Sequence, residues 1–89
     1  MATENRRKLT VLSREYCPLC EDMIAALREL QAQRGYFDLE IVDVGRDAAL
    51  EKRYGERVPV LLLDGAEVCH YRLDPGALNA HLMAATRQA

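Results

Sequence analysis

The residues best suited to chemistry are two cysteines in the segment Cys17-Pro18-Leu19-Cys20. A cysteine thiolate attacks disulfides and binds soft metals, so this spacing indicates either a redox dithiol or half of a metal site. The chain has three cysteines, an odd number. In a reducing compartment, such a pair is more typical of redox or metal chemistry than of a structural cross-link. The elements that surround Cys17 and Cys20 help to distinguish these possibilities.

The apolar pattern predicts alternating strands and helices in the order βαβαββα. Four strands are expected at residues 9–13, 37–44, 59–63 and 67–71. Three helices are expected from Pro18 to a stop at Gly35, from an N-cap at Asp47 to Tyr54, and from an N-cap at Asp74. This order predicts an α/β fold in which helices cover a four-stranded mixed sheet.

Two local signals complete this pattern in the second half of the chain. Asp64-Gly65 is a typical turn between two antiparallel strands and predicts a hairpin. The last helix carries a stripe formed by Leu78, His81, Leu82 and Ala85. We interpret His81 as a packed, hydrogen-bonded histidine because it lies on that stripe.

The first predicted helix places Cys17 at its N-terminus, where backbone N–H groups and the helix dipole stabilise a thiolate. Pro18 suits the first helical position, and Cys20 then lies on the same side of the helix as Cys17. Cys20 is therefore the expected resolving thiol, which attacks a mixed disulfide. Arg14 favours a Cys17 thiolate, whereas nearby acids oppose it. These acids are Glu15, Glu21 and Asp22.

Residues 13–20, Ser-Arg-Glu-Tyr-Cys-Pro-Leu-Cys, resemble the active-site segment of glutaredoxins, in which a Ser-Lys pair leads to an aromatic residue and Cys-Pro-Tyr-Cys. Residues 57–59, Arg-Val-Pro, are similar to the Thr-Val-Pro of that family. The resemblance spans about residues 8–85 and is closest to small bacterial glutaredoxin-like proteins of the thioredoxin superfamily. It implies a thioredoxin-like fold and a thiol-disulfide oxidoreductase, with a role in cell redox homeostasis, in which Cys17 is the nucleophile and Cys20 resolves.

The resemblance also implies roles for residues around the dithiol. Pro59 is the expected cis-proline facing the dithiol, and the backbone of Val58 is expected to pair with a substrate peptide or glutathione. Arg14 occupies the family's lysine position and suits a substrate carboxylate. Asp74 is the candidate acid for the glutathione amino group. Tyr16 either lines this cleft or shields the edge of the core.

One stretch departs from the glutaredoxin pattern. Glutaredoxins carry a Gly-Gly pair after the hairpin, whereas residues 68–74 read Val-Cys-His-Tyr-Arg-Leu-Asp. Glycines permit a close backbone approach that bulkier side chains obstruct, so the mode of glutathione binding stays open. Asp74 would lie one position out of register, and its role as a helix cap explains it equally well.

The composition argues against nucleic-acid binding and against a membrane-spanning segment. Twelve basic and fourteen acidic residues give a net charge of -2, which argues against nucleic-acid binding. The longest apolar stretch, residues 58–63, is far shorter than the roughly 20 residues that span a bilayer. We expect a cytoplasmic, monomeric protein with a single domain of residues 1–89.

The expected substrate is a protein or small molecule that contains a disulfide, and glutathione or a reductase is the expected reductant. No bound cofactor or metal is expected. One alternative is a non-catalytic thioredoxin-fold module that binds a peptide beside Pro59, and another is a carrier whose thiolates hold a metal. A zinc site that adds Cys69 or His70 is disfavoured, because adjacent strand residues point to opposite faces. We interpret Cys69 as a buried structural thiol.

Overall fold

The computed structural model describes residues 7–34 and 37–87. The strands are β1 (Arg7–Ser13), β2 (Phe37–Asp43), β3 (Val60–Leu63) and β4 (Ala66–His70). The helices are α1 (Pro18–Arg34), α2 (Ala48–Tyr54) and α3 (Pro75–Arg87), and two 3-10 segments, Val44–Arg46 and Gly55–Arg57, flank α2. The predicted order βαβαββα and the α/β class are confirmed. None of the helices in the described part of the chain has the length and apolar character needed to cross a bilayer.

The sheet brings four chain segments to one end. Its strand order is β2-β1-β3-β4, with β1 parallel to β2 and antiparallel to β3. Ser13 pairs with Asp43, and Leu12 pairs with Val60, the residue that directly follows Pro59. The Tyr71 N–H donates to the Pro59 carbonyl at 2.8 Å. One end of the sheet is therefore marked by Ser13, Asp43, Pro59 and Tyr71. We call it the dithiol end because α1 begins beside it.

Helices cover both faces of the sheet because alternate strand residues point to opposite sides. On one face, β1 to β3 pack against α1 and α3. This cluster contains Leu9, Val11, Met23, Leu27, Phe37, Leu61, Leu63, Leu78 and Leu82. On the other face, the sheet packs against α2. This second cluster contains Leu12, Val44, Tyr54 and Val60. The dithiol helix α1 is thus anchored by a wide apolar contact.

The predicted helix caps agree with the structure where it is described. The Asp47 carboxylate accepts hydrogen bonds from the N–H groups of Ala49 at 3.0 Å and Leu50 at 3.1 Å. Strand β3 begins at Val60 rather than at the predicted proline, because Pro59 has no N–H to donate to the ladder. The predicted stop at Gly35 lies outside the described residues, as does the side chain of residue 85.

Strand β4 contains a bulge that the sequence pattern does not predict. The register between β3 and β4 shifts between Leu61 and Leu62, which leaves Val68 as an extra residue. In a regular strand, Glu67 and His70 would point to opposite faces, but the bulge turns both toward the α2 side. The bulge therefore gathers polar side chains on one face near the dithiol end.

Strand β2 is an outer strand, and two of its three exposed residues, Asp38 and Glu40, are acidic, whereas the third is Ile41. Glu40 is paired with Lys8, whose Nζ lies 2.8 Å from Glu40 Oε1. Hydrogen bonding to Glu40 raises the pKa of the Lys8 ammonium above its ordinary value. Asp43 closes the strand, since its carboxylate accepts the Gly45 N–H at 2.8 Å and turns the chain into the first 3-10 segment.

We expect Leu27→Ala to destabilise the fold, because Leu27 is fully buried between α1 and the sheet. A cavity at such a position costs about 2 to 5 kcal/mol of the free energy of unfolding. Met83→Ala is the matched control, since Met83 of α3 is 55% exposed and its truncation should cost no more than about 0.5 kcal/mol. Urea unfolding measures both. Equal losses in the two variants would contradict the assigned core.

Candidate active site

Cys17 caps the N-terminus of α1. Its sulfur accepts a hydrogen bond from the Cys20 N–H at 3.1 Å, and its carbonyl accepts one from the Glu21 N–H at 3.0 Å. Cys17 and Cys20 are joined by a disulfide, and their Cα atoms lie 5.2 Å apart. The predicted placement of Cys17 at the helix N-terminus is therefore confirmed.

The two cysteines differ in their exposure to solvent. Cys17 is half-buried, whereas Cys20 is only 2% exposed. An incoming molecule can thus reach Cys17 more readily than Cys20. When the pair is reduced, backbone N–H groups at the helix N-terminus favour the thiolate of Cys17 over its thiol. This difference fits an attacking thiol followed by a second thiol that is reached only from within the protein.

Apolar side chains flank the dithiol on the surface. Tyr16 is 94% exposed and adopts a left-handed backbone with φ 57°, and Leu19 is 37% exposed. Tyr16 therefore does not shield the edge of the core, which was one of its two interpretations. Contact between Tyr16 and a substrate stays a prediction.

Val58 and Pro59 lie at the dithiol end of the sheet, immediately before β3. The Val58–Pro59 peptide bond is cis, as the glutaredoxin resemblance implies. Pro59 is buried, and Val58 is half-buried. Pairing of the Val58 backbone with a substrate stays a prediction, although the sheet register brings this segment and the start of α1 to the same end.

Arg14 connects the segment before the dithiol to α2. Its guanidinium donates to both Glu51 oxygens at 2.9 and 2.6 Å and to the Gly55 carbonyl at 2.9 Å. Hydrogen bonding to Arg14 lowers the pKa of Glu51 below its ordinary value. A Cβ at Gly55 would overlap the Glu51 carboxylate, so glycine leaves the space that this ion pair occupies. A role for Arg14 toward a substrate carboxylate stays a prediction.

Asp74 caps α3, since its Oδ1 accepts the Ala77 N–H at 3.0 Å. It also lines an open groove between β4 and the start of α3. The groove is formed by Glu67, Val68, Cys69, His70, Arg72, Leu73, Asp74 and Pro75. The turn before α3 is made without the glycines of glutaredoxins, and Tyr71 there has a φ of 67°. The cap role of Asp74 is confirmed, and its binding role stays a prediction.

Cys69 is separate from the dithiol chemistry. It is a free thiol that packs against the cluster beneath α1 and α3, but it is half-buried and not buried as predicted. Burial raises the pKa of the Cys69 thiol, so it is a weaker nucleophile than a free cysteine at neutral pH. Within residues 7–34 and 37–87, no three His, Cys, Asp or Glu side chains are grouped closely enough to hold a metal ion.

His81 also behaves as a structural residue. Its side chain is half-buried on α3, and its Nδ1 lies 2.9 Å from the Ala77 carbonyl one turn earlier. This agrees with the interpretation of His81 as a packed, hydrogen-bonded histidine.

Comparison with known proteins identifies the family. The model of the glutaredoxin-like domain (DUF836) matches residues 8–83. The chain belongs to this glutaredoxin-like family. An uncharacterized protein of Mycobacterium tuberculosis and one of Mycobacterium bovis are each 32% identical to it over 87 residues, which cover 92% of this chain and 89% of the relative. The predicted resemblance to glutaredoxin-like proteins is confirmed.

Solved structures support the same fold. A Nitrosomonas europaea protein determined by NMR is 44% identical, with a TM-score of 0.76 over 85% of this chain and 91% of its own. An X. campestris protein is 42% identical, with a TM-score of 0.62 over 85% of this chain and 96% of its own. Mitochondrial thioredoxin 3 of Saccharomyces cerevisiae, at 18% identity, has a TM-score of 0.65 over 93% of this chain and 82% of its own. This last likeness concerns the fold alone.

These findings together support a general conclusion about the site. The glutaredoxin-like chain has a thioredoxin-like fold, and its close Cys17–Cys20 pair fits a redox function. An oxidoreductase-type activity is the general class that this combination supports. Sequence analysis did not identify Glu51 as a neighbour of the site. Nothing in the local sequence pattern indicates that Glu51 pairs with Arg14, which lies 37 positions away.

We expect Glu51→Gln to lower stability in a pH-dependent way. The folded protein holds the pKa of Glu51 below its ordinary value of 4.5, chiefly through Arg14, so the stabilisation is present above 4.5. It is lost as pH falls through the lowered pKa, because the carboxyl is then protonated in both states. The difference in unfolding free energy between wild type and variant should therefore be larger at neutral pH than in strong acid.

Urea unfolding across pH measures this difference. Glu29→Gln is the matched control, since Glu29 is exposed on α1 and takes part in no ion pair among the described residues. Its difference from wild type should stay flat with pH. A flat profile for Glu51→Gln would contradict the role assigned to the Arg14 pair.

Proposed function

We propose that this glutaredoxin-like protein is a thiol-disulfide oxidoreductase in which Cys17 is the nucleophile and Cys20 the resolving thiol. The observation that carries the proposal is the position of the Cys17 sulfur, which is reachable from solvent and accepts a backbone N–H at the start of α1. The shielded Cys20, only three residues away, supplies the second thiol within bonding range.

The reaction starts from the reduced dithiol. The Cys17 thiolate attacks one sulfur of the substrate disulfide, whose S–S bond breaks, and the first substrate thiolate leaves and takes up a proton. Cys20 then loses its proton and attacks the Cys17 sulfur of the mixed disulfide, which releases the second substrate thiol. The substrate gains two electrons, and the protein is left with the Cys17–Cys20 disulfide that the structure contains.

The residues around the dithiol would bind the substrate. In the proposal, the backbone of Val58 pairs with a peptide or glutathione beside Pro59, and exposed Tyr16 covers the bound molecule. Asp74 and Arg14 complete the set as candidates for the amino and carboxylate groups of glutathione. The existing bonds of Arg14 to Glu51 and Gly55 mean that such a carboxylate would add to, or replace, a formed ion pair.

The proposed substrate is a protein or small molecule that contains a disulfide. Glutathione or a reductase then returns the Cys17–Cys20 disulfide to the dithiol, with transfer of two electrons. This cycle needs no resident metal or organic cofactor. The reduction potential against a glutathione buffer distinguishes a reductant from an oxidant, because a tenfold change in the two-electron equilibrium corresponds to about 30 mV.

We expect the reduced protein to be alkylated by iodoacetamide at Cys17 with a midpoint of the rate-pH curve below the free-thiol value of about 8.5. In the proposal, the backbone N–H groups at the helix N-terminus favour the thiolate more strongly than the acidic neighbours Glu15 and Glu21 oppose it. Mass spectrometry of the modified peptide assigns the site. Cys69 serves as an internal reference, since burial raises its pKa. A Cys17 midpoint at or above that of a free thiol would argue against the proposal.

We expect the two active-site variants to differ in kind. Cys17→Ser should abolish reduction of a disulfide substrate, because it removes the attacking sulfur. Cys20→Ser should form the mixed disulfide and stop there, because it removes the thiol that releases it. Mass spectrometry and a thiol-release assay detect these outcomes, and Cys69→Ser is the control that should retain activity. Equal activity in the Cys17 and Cys20 variants would favour a non-catalytic binding module.

A further inference from the structure

The loop that carries the cis-proline, residues 55–59, is held by side chains from other parts of the chain. We call it the cis-proline loop. At its first residue, the Gly55 carbonyl accepts a hydrogen bond from Arg14 at 2.9 Å. At its second, the Glu56 carbonyl accepts one from the Tyr71 hydroxyl at 3.1 Å. The loop is therefore tied both to the segment before the dithiol and to the chain that follows β4.

The third residue of the loop is tied to β4 itself. Arg57 Nη1 lies 3.1 and 2.8 Å from the two carboxylate oxygens of Glu67, and the side chains are 37% and 31% exposed. Partial shielding from water strengthens such a pair relative to one in full solvent. The Arg57 guanidinium also lies 5.4 Å from the centre of the Tyr54 ring. This cation–π contact further restrains the Arg57 side chain. Arg57 directly precedes Val58, so this pair restrains the backbone proposed to bind substrate.

The bulge in β4 is what makes this arrangement possible. With Val68 as an extra residue, Glu67 points to the face of the sheet on which Arg57 and α2 lie. His70, on the same face, places its Nδ1 3.5 Å from Glu67 Oε2. The chain beyond β4 then returns to the loop, where the Tyr71 N–H bonds to the Pro59 carbonyl at 2.8 Å. Strand β4 and its extension thus contact the loop at successive points.

We propose that Glu67 and Tyr71 are positioning residues that hold the cis-proline loop in register with the dithiol. They act through the loop backbone, so that Val58 presents its peptide group to a bound disulfide peptide at a fixed distance from Cys17. This inference rests on the proposed function and extends it to a preference for disulfides flanked by peptide backbone. A small disulfide without peptide groups gains nothing from the restrained loop.

Glu67→Gln and Tyr71→Phe test this inference in the reduced 89-residue chain. The first removes the charge that holds Arg57, and the second removes only the hydroxyl that binds the Glu56 carbonyl. Two neutral substrates are compared: an acetylated, amidated peptide with one disulfide, and 2-hydroxyethyl disulfide. We expect each variant to slow reaction with the peptide by about tenfold, since small displacements of a binding group have large effects on rate. Reaction with 2-hydroxyethyl disulfide should be unchanged.

Glu40→Gln is the matched control, since it also removes a carboxylate from an ion pair on the sheet, but on β2 with Lys8. It should leave both rates unchanged. Equal peptide rates in wild type, Glu67→Gln and Tyr71→Phe would overturn the positioning role, as would equal slowing with both substrates. If the wild-type protein reduces neither disulfide, the proposed function itself fails and the inference falls with it. If the wild-type protein reduces the peptide disulfide and no substitution changes that rate, only the positioning role is overturned.

Discussion

The antiparallel pairing of β1 with β3 is the constraint on which the site depends. It brings the end of one strand level with the start of the other, although about 45 residues separate Ser13 from Pro59 in sequence. The dithiol follows β1, and the cis-proline precedes β3, so the pairing alone delivers both to one end of the sheet. Apolar contacts on both faces then maintain that register, because a slip by one residue would turn buried side chains toward solvent.

Opposing electrostatic influences meet at Cys17. The N–H of Cys20 and the helix N-terminus favour negative charge on the sulfur, and the three acids nearby in sequence disfavour it. The backbone groups lie in direct contact with the sulfur, whereas the acids are exposed and their influence is reduced by water and salt. We therefore expect the backbone groups to affect the reduced sulfur more than these acids do. The guanidinium of Arg14 is hydrogen-bonded to Glu51 and Gly55. It therefore helps to hold the segments around the dithiol together and also contributes a positive charge near it.

Sequence patterns predicted the features that depend on neighbouring residues. The caps at Asp47 and Asp74, the hairpin turn after β3 and the placement of Cys17 follow from local chemistry, and the order of elements follows from apolar periodicity. The bulge at Val68 and the partners of Arg14 and Arg57 were not predicted. They depend on which charged residues the folded chain brings together, and no local pattern specifies that.

The acidic outer strand has a consequence for the behaviour of the protein at high concentration. An outer strand exposes N–H and C=O groups that can template pairing with another molecule and so begin aggregation. Asp38, Glu40 and Asp43 place carboxylates along β2, and two such strands side by side would bring like charges together. These carboxylates therefore disfavour direct pairing between the β2 strands of two molecules.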